Sequence, residues 1–461
     1  MVFTSNLFLF LFLPIFLATY YLLPFRFRSL LILLFSYLFY GWWRPDFAIL
    51  LGAVTVGTYV LTLAMESSQW RSRRYAVLTL GVGLNLAALG YFKYFNFGVD
   101  SFNALLTWAG FSPFGYAHVI LPIGLSFFVF HAVSYMVDVY RGDAPKAENL
   151  FDFAAFISFF PQLVAGPVLR FEPLADQFRH REHSLKLFSQ GCLIFMAGFC
   201  GKVLVADPMA PLVEAAFSIH TPSLPDAWLG VTAYTLQLFF DFSGYSTMAI
   251  GLGLMLGFHF PKNFDDPYTS ASITEFWRRW HMSLSTWLRV YLYVPLGGNR
   301  LGRGRTYINL TLTMVLGGLW HGANWTFLVW GAWHGGLLAL ERFWRERNPQ
   351  PRLPRPVAVA WTLLMVMIGW VFFRAADLGA AFRMLSGMAG FAGWGISPGL
   401  AWQLAPERLS VMLFGAVLVF ALPWLRRRTE GGLRMLLIPL FLWAVATLSS
   451  QAFTPFLYFQ F

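Results

Sequence analysis

Apolar residues fill most of this chain in long blocks, separated by short basic or Gly/Pro-containing stretches. A helix needs ~20 apolar residues to cross a hydrocarbon core of ~30 Å. The blocks predict helices over Leu7–Leu23, Leu30–Trp43, Phe47–Met65, Tyr75–Tyr91, Val119–Tyr140, Leu185–Val205 and Trp228–Phe258. Further blocks cover Thr306–Trp320, Trp325–Leu340, Val357–Phe373, Val411–Leu425 and Met435–Leu448. Several are short or interrupted. Phe151–Val168, broken by Phe160-Pro161 and Gly166-Pro167, is expected to enter and leave by one face. Broken backbone at membrane depth persists only where protein or a water-filled cavity satisfies it. The pattern therefore predicts an all-α polytopic membrane protein with an internal cavity.

Composition agrees. The 461 residues are 57% hydrophobic and 12% charged, against about a quarter charged in soluble domains. Stacked spans form one body, so residues 1–461 are read as a single membrane domain. The run from Leu7 has no basic segment before it and no cleavage site after it, and is expected to be a retained span. A net charge of +11 would point to nucleic acid in a soluble protein. Here it places basic loops on the cytoplasmic side, and a phosphorylated coenzyme could use part of that field. Arg26 and Arg28, Arg71 to Arg74, Arg141 and Lys146, Arg170 to Arg181, Lys262 to Arg305, Arg342 to Arg355 and Arg426 to Arg428 all fall on one side by span counting. Both termini are then outside, the terminal PFLYFQF included. Cys192 and Cys200 lie eight apart in one apolar segment, too far along a helix to pair. No internal repeat of useful strength is visible, nor any P-loop, GxSxG, HExxH or CxxC motif.

Ionisable groups at membrane depth are functional candidates by default, and three clusters qualify. In QLFFDFSGYSTMAIGLG (residues 237–253), Asp241, Ser243, Tyr245, Ser246 and Thr247 interrupt an apolar run. They could form the polar wall of a tunnel, or a helix break with interhelical hydrogen bonds at small-residue packing sites. In ITEFWRRWHMSLSTWLRVYLYVPLGGNR (residues 273–300), Trp277, Trp280 and Trp287 stand beside Arg278, Arg279, His281 and Arg289. That mixture predicts an interfacial helix with its indoles at headgroup level. Guanidinium and aromatic groups there could also hold a coenzyme's phosphates and adenine, with His281 as a further polar contact.

The third cluster is LGGLWHGANWTF (residues 316–327). Thr306–Trp320 is about 15 residues, or roughly 22 Å of helix, short of the ~30 Å core. His321 would then sit in a loop within the membrane. Gly317, Gly318 and Gly322 would allow close approach and unusual backbone angles. Burial disfavours an imidazolium, and a neutral ring can act as general base toward a hydroxyl. Asn324, Trp320 and Trp325 would orient it or line a cavity. The alternative is a packed core histidine. His334 is a competing candidate, but about 13 residues or ~20 Å of helix separates it from His321, which predicts a separate location.

Together with FFDFSGYSTMAIGLG, LTMVLGGLWHGANWTFLVWGAWHG, LPIGLSFFVFHAVSYMVDVYRG, FISFFPQLVAGPVLRFEPLADQ and the terminal FLYFQF, these segments resemble the membrane-bound O-acyltransferase family over essentially the whole chain. The resemblance is to its bacterial exopolysaccharide branch, whose members act in alginate or cellulose acetylation. It implies about eleven or more transmembrane and re-entrant helices around a central tunnel. It also implies a catalytic region at 259–340 in which His321 is catalytic and His281 is the second polar position. Substrate and donor contacts would come from Arg278, Arg279, Arg289, Asn324, Trp320 and Asp241, with no metal and no bound cofactor. The implied activity takes acetyl groups from a cytoplasmic donor, acetyl-CoA, and passes them through the inner membrane. Its partners would be membrane lipids, periplasmic SGNH-type acetyltransferases and, indirectly, a polysaccharide, with no nucleic acid. D-alanyl transfer to teichoic acid, or a non-catalytic transporter, are the alternatives. Two positions depart from the alginate pattern: Val290 and Thr247 stand where acids are expected.

Overall fold

A computed structural model describes residues 1–164, 166–348, 353–428, 432–450 and Leu457. Apart from Leu457, the terminal PFLYFQF lies outside the described residues, so its expected placement is not tested. The described secondary structure is helical. In order it comprises α1 (Leu13–Leu22), α2 (Phe25–Gly41), α3 (Pro45–Glu66), α4 (Arg74–Trp108), α5 (Leu125–Arg141), α6 (Leu150–Ser158), α7 (Phe160–Leu163), α8 (Glu172–Arg179), α9 (Leu185–Cys200) and α10 (Asp207–Ser218). There follow α11 (Leu224–Met255), α12 (Ile273–Arg279), α13 (Met282–Leu288), α14 (Arg303–His321), α15 (Trp325–Arg347), α16 (Arg355–Arg374), α17 (Leu378–Met388), α18 (Pro398–Ala401), α19 (Pro406–Arg428) and α20 (Gly432–Ser450). Among the described residues, Pro45–Glu66, Ser68–Trp108, Leu185–Ser218, Leu224–Met255 and Arg355–Arg374 are long and apolar enough to cross a membrane.

The chain forms two compact units. The first comprises Met1–Cys192 and Ala249–Pro261. Its core includes an aromatic cluster in which the Phe160 ring lies 5.1 Å from Phe16, 5.4 Å from Phe12 and 5.5 Å from Phe39. Phe160 opens α7, just past the break that ends α6. The freed backbone N–H of Phe160 donates to Ser36 Oγ at 3.1 Å, so protein satisfies the interruption, as expected for Phe151–Val168. One prediction fails here: α4 runs on from Tyr91 to Trp108. Lys93 does not end it, because its ammonium is buried and donates to Ser126 Oγ at 3.4 Å. Asn96, one turn further, bonds both polar groups of the Val119 backbone.

The second unit comprises Leu193–Met248 and Lys262–Phe461. Here α11 is unbroken through Asp241 and Ser243, so the expected helix break does not occur. Its small residues do pack: a Cβ added at Gly244 would lie 2.7 Å from the Gly198 carbonyl of α9. Close backbone approach of this kind is the usual role of small residues between membrane helices. The α14–α15 hairpin belongs to this unit and carries the candidate chemistry.

Candidate active site

Glycines shape the hairpin. A Cβ at Gly318 would fall 2.2 Å from the Phe327 carbonyl oxygen, and one at Gly331 would fall 2.4 Å from the Met314 carbonyl. At Gly335 it would meet Thr311 Cα at 2.6 Å. The two helices therefore touch backbone to backbone, and His321 is carried against the α15 side chains. The glycines act through this closeness rather than through backbone angles: Gly317 and Gly318 are helical, and Gly322 is extended at φ −159°. The helix is also longer than predicted. With 19 residues it spans about 28 Å, and His321 is its last residue rather than part of a loop. The under-length hairpin is corrected on this point.

The His321 ring is 5% exposed and meets aromatic rings on three sides. Centroid distances are 4.9 Å to Trp320, 5.1 Å to Trp330 and 5.1 Å to Phe373, all edge-on. Trp320 also lies 6.4 Å from the His281 ring, so one indole flanks both candidate histidines. His334 is not remote. Its ring is 5.0 Å from the same Trp330 indole, because α15 turns His334 onto the face that meets His321. Its Nδ1 accepts from Trp277 Nε1 at 3.4 Å.

His281 is held differently. It joins α12 to α13 with φ 42° and ψ 55°, a left-handed conformation that non-glycine residues adopt rarely. Asn263, which sequence reasoning missed, fixes it. Asn263 Oδ1 receives the backbone N–H of Ser283 at 3.1 Å and the Ser283 hydroxyl at 2.9 Å, while Nδ2 donates to Ser246 Oγ at 3.1 Å. A backbone N–H can only donate, so this oxygen is assigned without ambiguity. His281 Nδ1, 3.2 Å from the same oxygen, must therefore carry the proton. Nε2 is left with its lone pair, buried and without a hydrogen-bond partner among the described residues. Phe242 packs edge-on against the ring at 4.7 Å.

The remaining predicted residues disperse. The interfacial helix does not form: α12 and α13 are seven residues each, and Trp277, Trp280 and Trp287 are all buried. Trp280 packs 5.0 Å from Trp370, which donates to Tyr268 at 3.2 Å. An amphipathic aromatic pattern reads the same whether the partner is a headgroup layer or protein. Arg279 pairs with Glu275 at 2.7 Å and donates to Thr269 Oγ1 at 3.3 Å, whereas Arg278 and Arg289 are exposed. Asn324 does not orient His321. Its Oδ1 caps α15 at the Thr326 N–H, 3.0 Å away, and its Nδ2 donates to the Ala376 carbonyl at 2.9 Å. Trp325 is 51% exposed. Asp241 is buried in an ion-pair cluster. It pairs with buried Lys202 at 2.7 Å, and Lys202 also binds Asp207 at 2.5 Å. The Leu457 N–H donates to the second Asp241 oxygen at 3.0 Å.

A buried imidazole with a bare lone pair, sharing an indole neighbour with a second imidazole, can accept a proton or a hydrogen bond from a hydroxyl substrate. The comparisons with known proteins point the same way. The membrane-bound O-acyltransferase family profile matches residues 111–378. A probable alginate O-acetylase AlgI of Azotobacter vinelandii is 51% identical with both chains fully covered. A peptidoglycan O-acetyltransferase of Helicobacter pylori is 36% identical over 85% of this chain and 80% of its own. A teichoic acid D-alanyltransferase of Streptococcus thermophilus is 30% identical over 49% of this chain and 58% of its own. The chain belongs to the membrane-bound O-acyltransferase family and is a multi-pass membrane enzyme of that class.

Proposed function

We propose that this enzyme transfers acetyl groups for O-acetylation of an exopolysaccharide of the alginate type, with residues 259–340 holding the catalytic centre. The pairing of His281 and His321 across Trp320 carries this reading. Full-length similarity to alginate O-acetylases gives the acyl group and the glycan class. D-alanyl transfer is the weaker reading, because the D-alanyltransferase relatives align with only 49% and 56% of this chain. A transporter without chemistry does not fit an acyltransferase family.

The donor is an acetyl thioester, acetyl-CoA, approaching from the cytoplasmic side with Arg278 and Arg289 as its contacts. Arg279 is already committed to Glu275. A thioester is activated, so the protein need only align it and take a proton from the attacking hydroxyl. His321 removes that proton as the hydroxyl oxygen bonds to the acetyl carbon. The tetrahedral intermediate then expels the thiolate, which recovers the proton from His321. His281 presents its Nε2 lone pair and positions the hydroxyl. That hydroxyl belongs to the glycan or to a periplasmic SGNH-type acetyltransferase that completes the transfer. We place the enzyme in the inner membrane with its termini on the periplasmic side.

The test is His321→Gln, which keeps hydrogen bonding but cannot act as base. Acetyl transfer in membranes is expected to fall by at least ~10³-fold with protein level unchanged. Wild-type acetylation in this variant would overturn the assignment.

A further inference from the structure

The first unit holds a basic cluster that the catalytic reading does not use. Tyr20 at the end of α1, Arg28 on α2, and Arg181 and His183 after α8 converge there. Gly257 makes this possible. Its φ of +81° and a Cβ position 2.8 Å from the Glu182 carbonyl exclude any side chain. The turn it makes presents the Leu256 carbonyl to Tyr20 Oη at 2.8 Å.

The hydrogen bonds fix the charge. Tyr20 donates to Leu256, so His183 Nε2 donates to Tyr20 at 3.0 Å. Nδ1 then carries the lone pair, and Arg28 Nη1 lies against the ring, 3.2 Å from Nδ1 and 3.1 Å from Nε2. His183 is neutral, in keeping with burial and the two guanidiniums, which hold its pKa below the ordinary value. The positive charge resides on Arg28 and Arg181. Arg28 Cζ lies 4.8 Å from the Tyr20 ring, and the Tyr20 hydroxyl interacts with both guanidiniums.

Arg181 is only 8% exposed. Its guanidinium sits between the Phe25 and Phe258 rings, at 4.9 and 4.5 Å. Nη1 donates to the Gln177 carbonyl at 3.1 Å. Nε and Nη2 are buried and have no hydrogen-bond partner among the described residues. Asp152 acts on Arg181 only at long range and forms no described ion pair with it. A desolvated guanidinium beside a second, half-buried one and without a paired carboxylate is costly. Nε and Nη2 also form one edge of the guanidinium, the fork that takes two oxygens of an oxyanion. Arg44 of this chain uses that same edge on Asp46, at 2.8 and 2.5 Å.

The surroundings indicate an amphiphile. Leu22 and Leu185 are 84% and 83% exposed, and Arg26 and Lys186 stand exposed beside them. Acyl chains suit the leucines, and a phosphate suits the arginines. We propose that Arg28 and Arg181 form a binding site for a phosphate oxyanion, supplied by the headgroup of an anionic phospholipid.

The full-length protein is placed in nanodiscs of phosphatidylcholine alone, or of equal parts phosphatidylcholine and phosphatidylglycerol, and its unfolding midpoint is measured. Phosphatidylglycerol is expected to raise the midpoint by about 3 °C or more. The rise should be lost in Arg181→Lys, which keeps the charge but not the fork, and in Arg28→Gln, whose partly exposed site tolerates the change. Loss in both supports the site. A rise retained in both variants, or no rise in the wild type, overturns it. Inorganic phosphate added to the phosphatidylcholine discs separates the sources. An equal rise from phosphate alone overturns the lipid as ligand, and no rise from phosphate supports it.

Discussion

The two histidines of the site stand in different backbone settings. His281 sits at a backbone break and is fixed by hydrogen bonds: one amide sets its tautomer, the following turn and its link to α11. His321 ends a regular helix, with aromatic edges on three sides and glycine contacts beneath. A ring whose Nδ1–H is bound to a neutral amide is oriented but gains little basicity. A ring placed by its backbone and by apolar walls is positioned without being held in one protonation state by Asn263. The proposed division of labour gives orientation to His281 and proton transfer to His321.

The strongest way to break this comparison is to separate the hairpin. In Gly318→Ala the new methyl would meet the Phe327 carbonyl at 2.2 Å and Gly331 Cα at 3.2 Å. Both are backbone atoms and cannot turn aside. The expected cost is about 3 kcal/mol, with acetyl transfer near background although the Asn263 network is intact. Gly336→Ala, which has nothing within 4 Å, should keep both stability and activity. Thermal unfolding in detergent and a membrane transfer assay check the pair. Equal behaviour of the two variants would show that packing does not set His321.

The complementary test acts on His281. Asn263→Ala removes the acceptor that fixes Nδ1–H and receives the Ser283 N–H, and a loss of roughly 10- to 100-fold is expected. Asn263→Asp keeps an acceptor for His281 and for Ser283, and its second oxygen can accept from the Ser246 hydroxyl where the amide donated. It should recover most of the lost rate. If Asp and Ala are equally impaired, Asn263 matters to folding and not to the ring's orientation.

These residues also mark what could be read from the sequence. The apolar runs located α3, α11, α16 and the α14–α15 hairpin because burial in lipid or protein needs continuous apolar length. They failed at α4, where a buried lysine passes for a boundary. His281 and His321 were legible because an imidazole in an apolar run is costly unless something uses or satisfies it. Asn263 was not, since its meaning depends on contacts with Ser246, His281 and Ser283. Lys202 was hidden in the same way, one cation within an apolar block whose partners Asp207 and Asp241 are found only in the fold. The tryptophans of α12 and α13 were located but given the wrong neighbour.

The smallest effect is expected at Asn324, and it sharpens the division most cleanly. This residue stands three positions from His321 and would be a natural choice as its orienting partner. Its oxygen instead receives the Thr326 N–H at the start of α15, and its amide nitrogen reaches Ala376. Replacing an asparagine N-cap by alanine costs about 1 kcal/mol, and the lost bond to Ala376 adds a similar amount at most. Asn324→Ala should therefore lower the unfolding midpoint by a few degrees and leave the transfer rate per folded molecule within about twofold of wild type. A loss as deep as that of Asn263→Ala would mean that His321, too, is held by an amide.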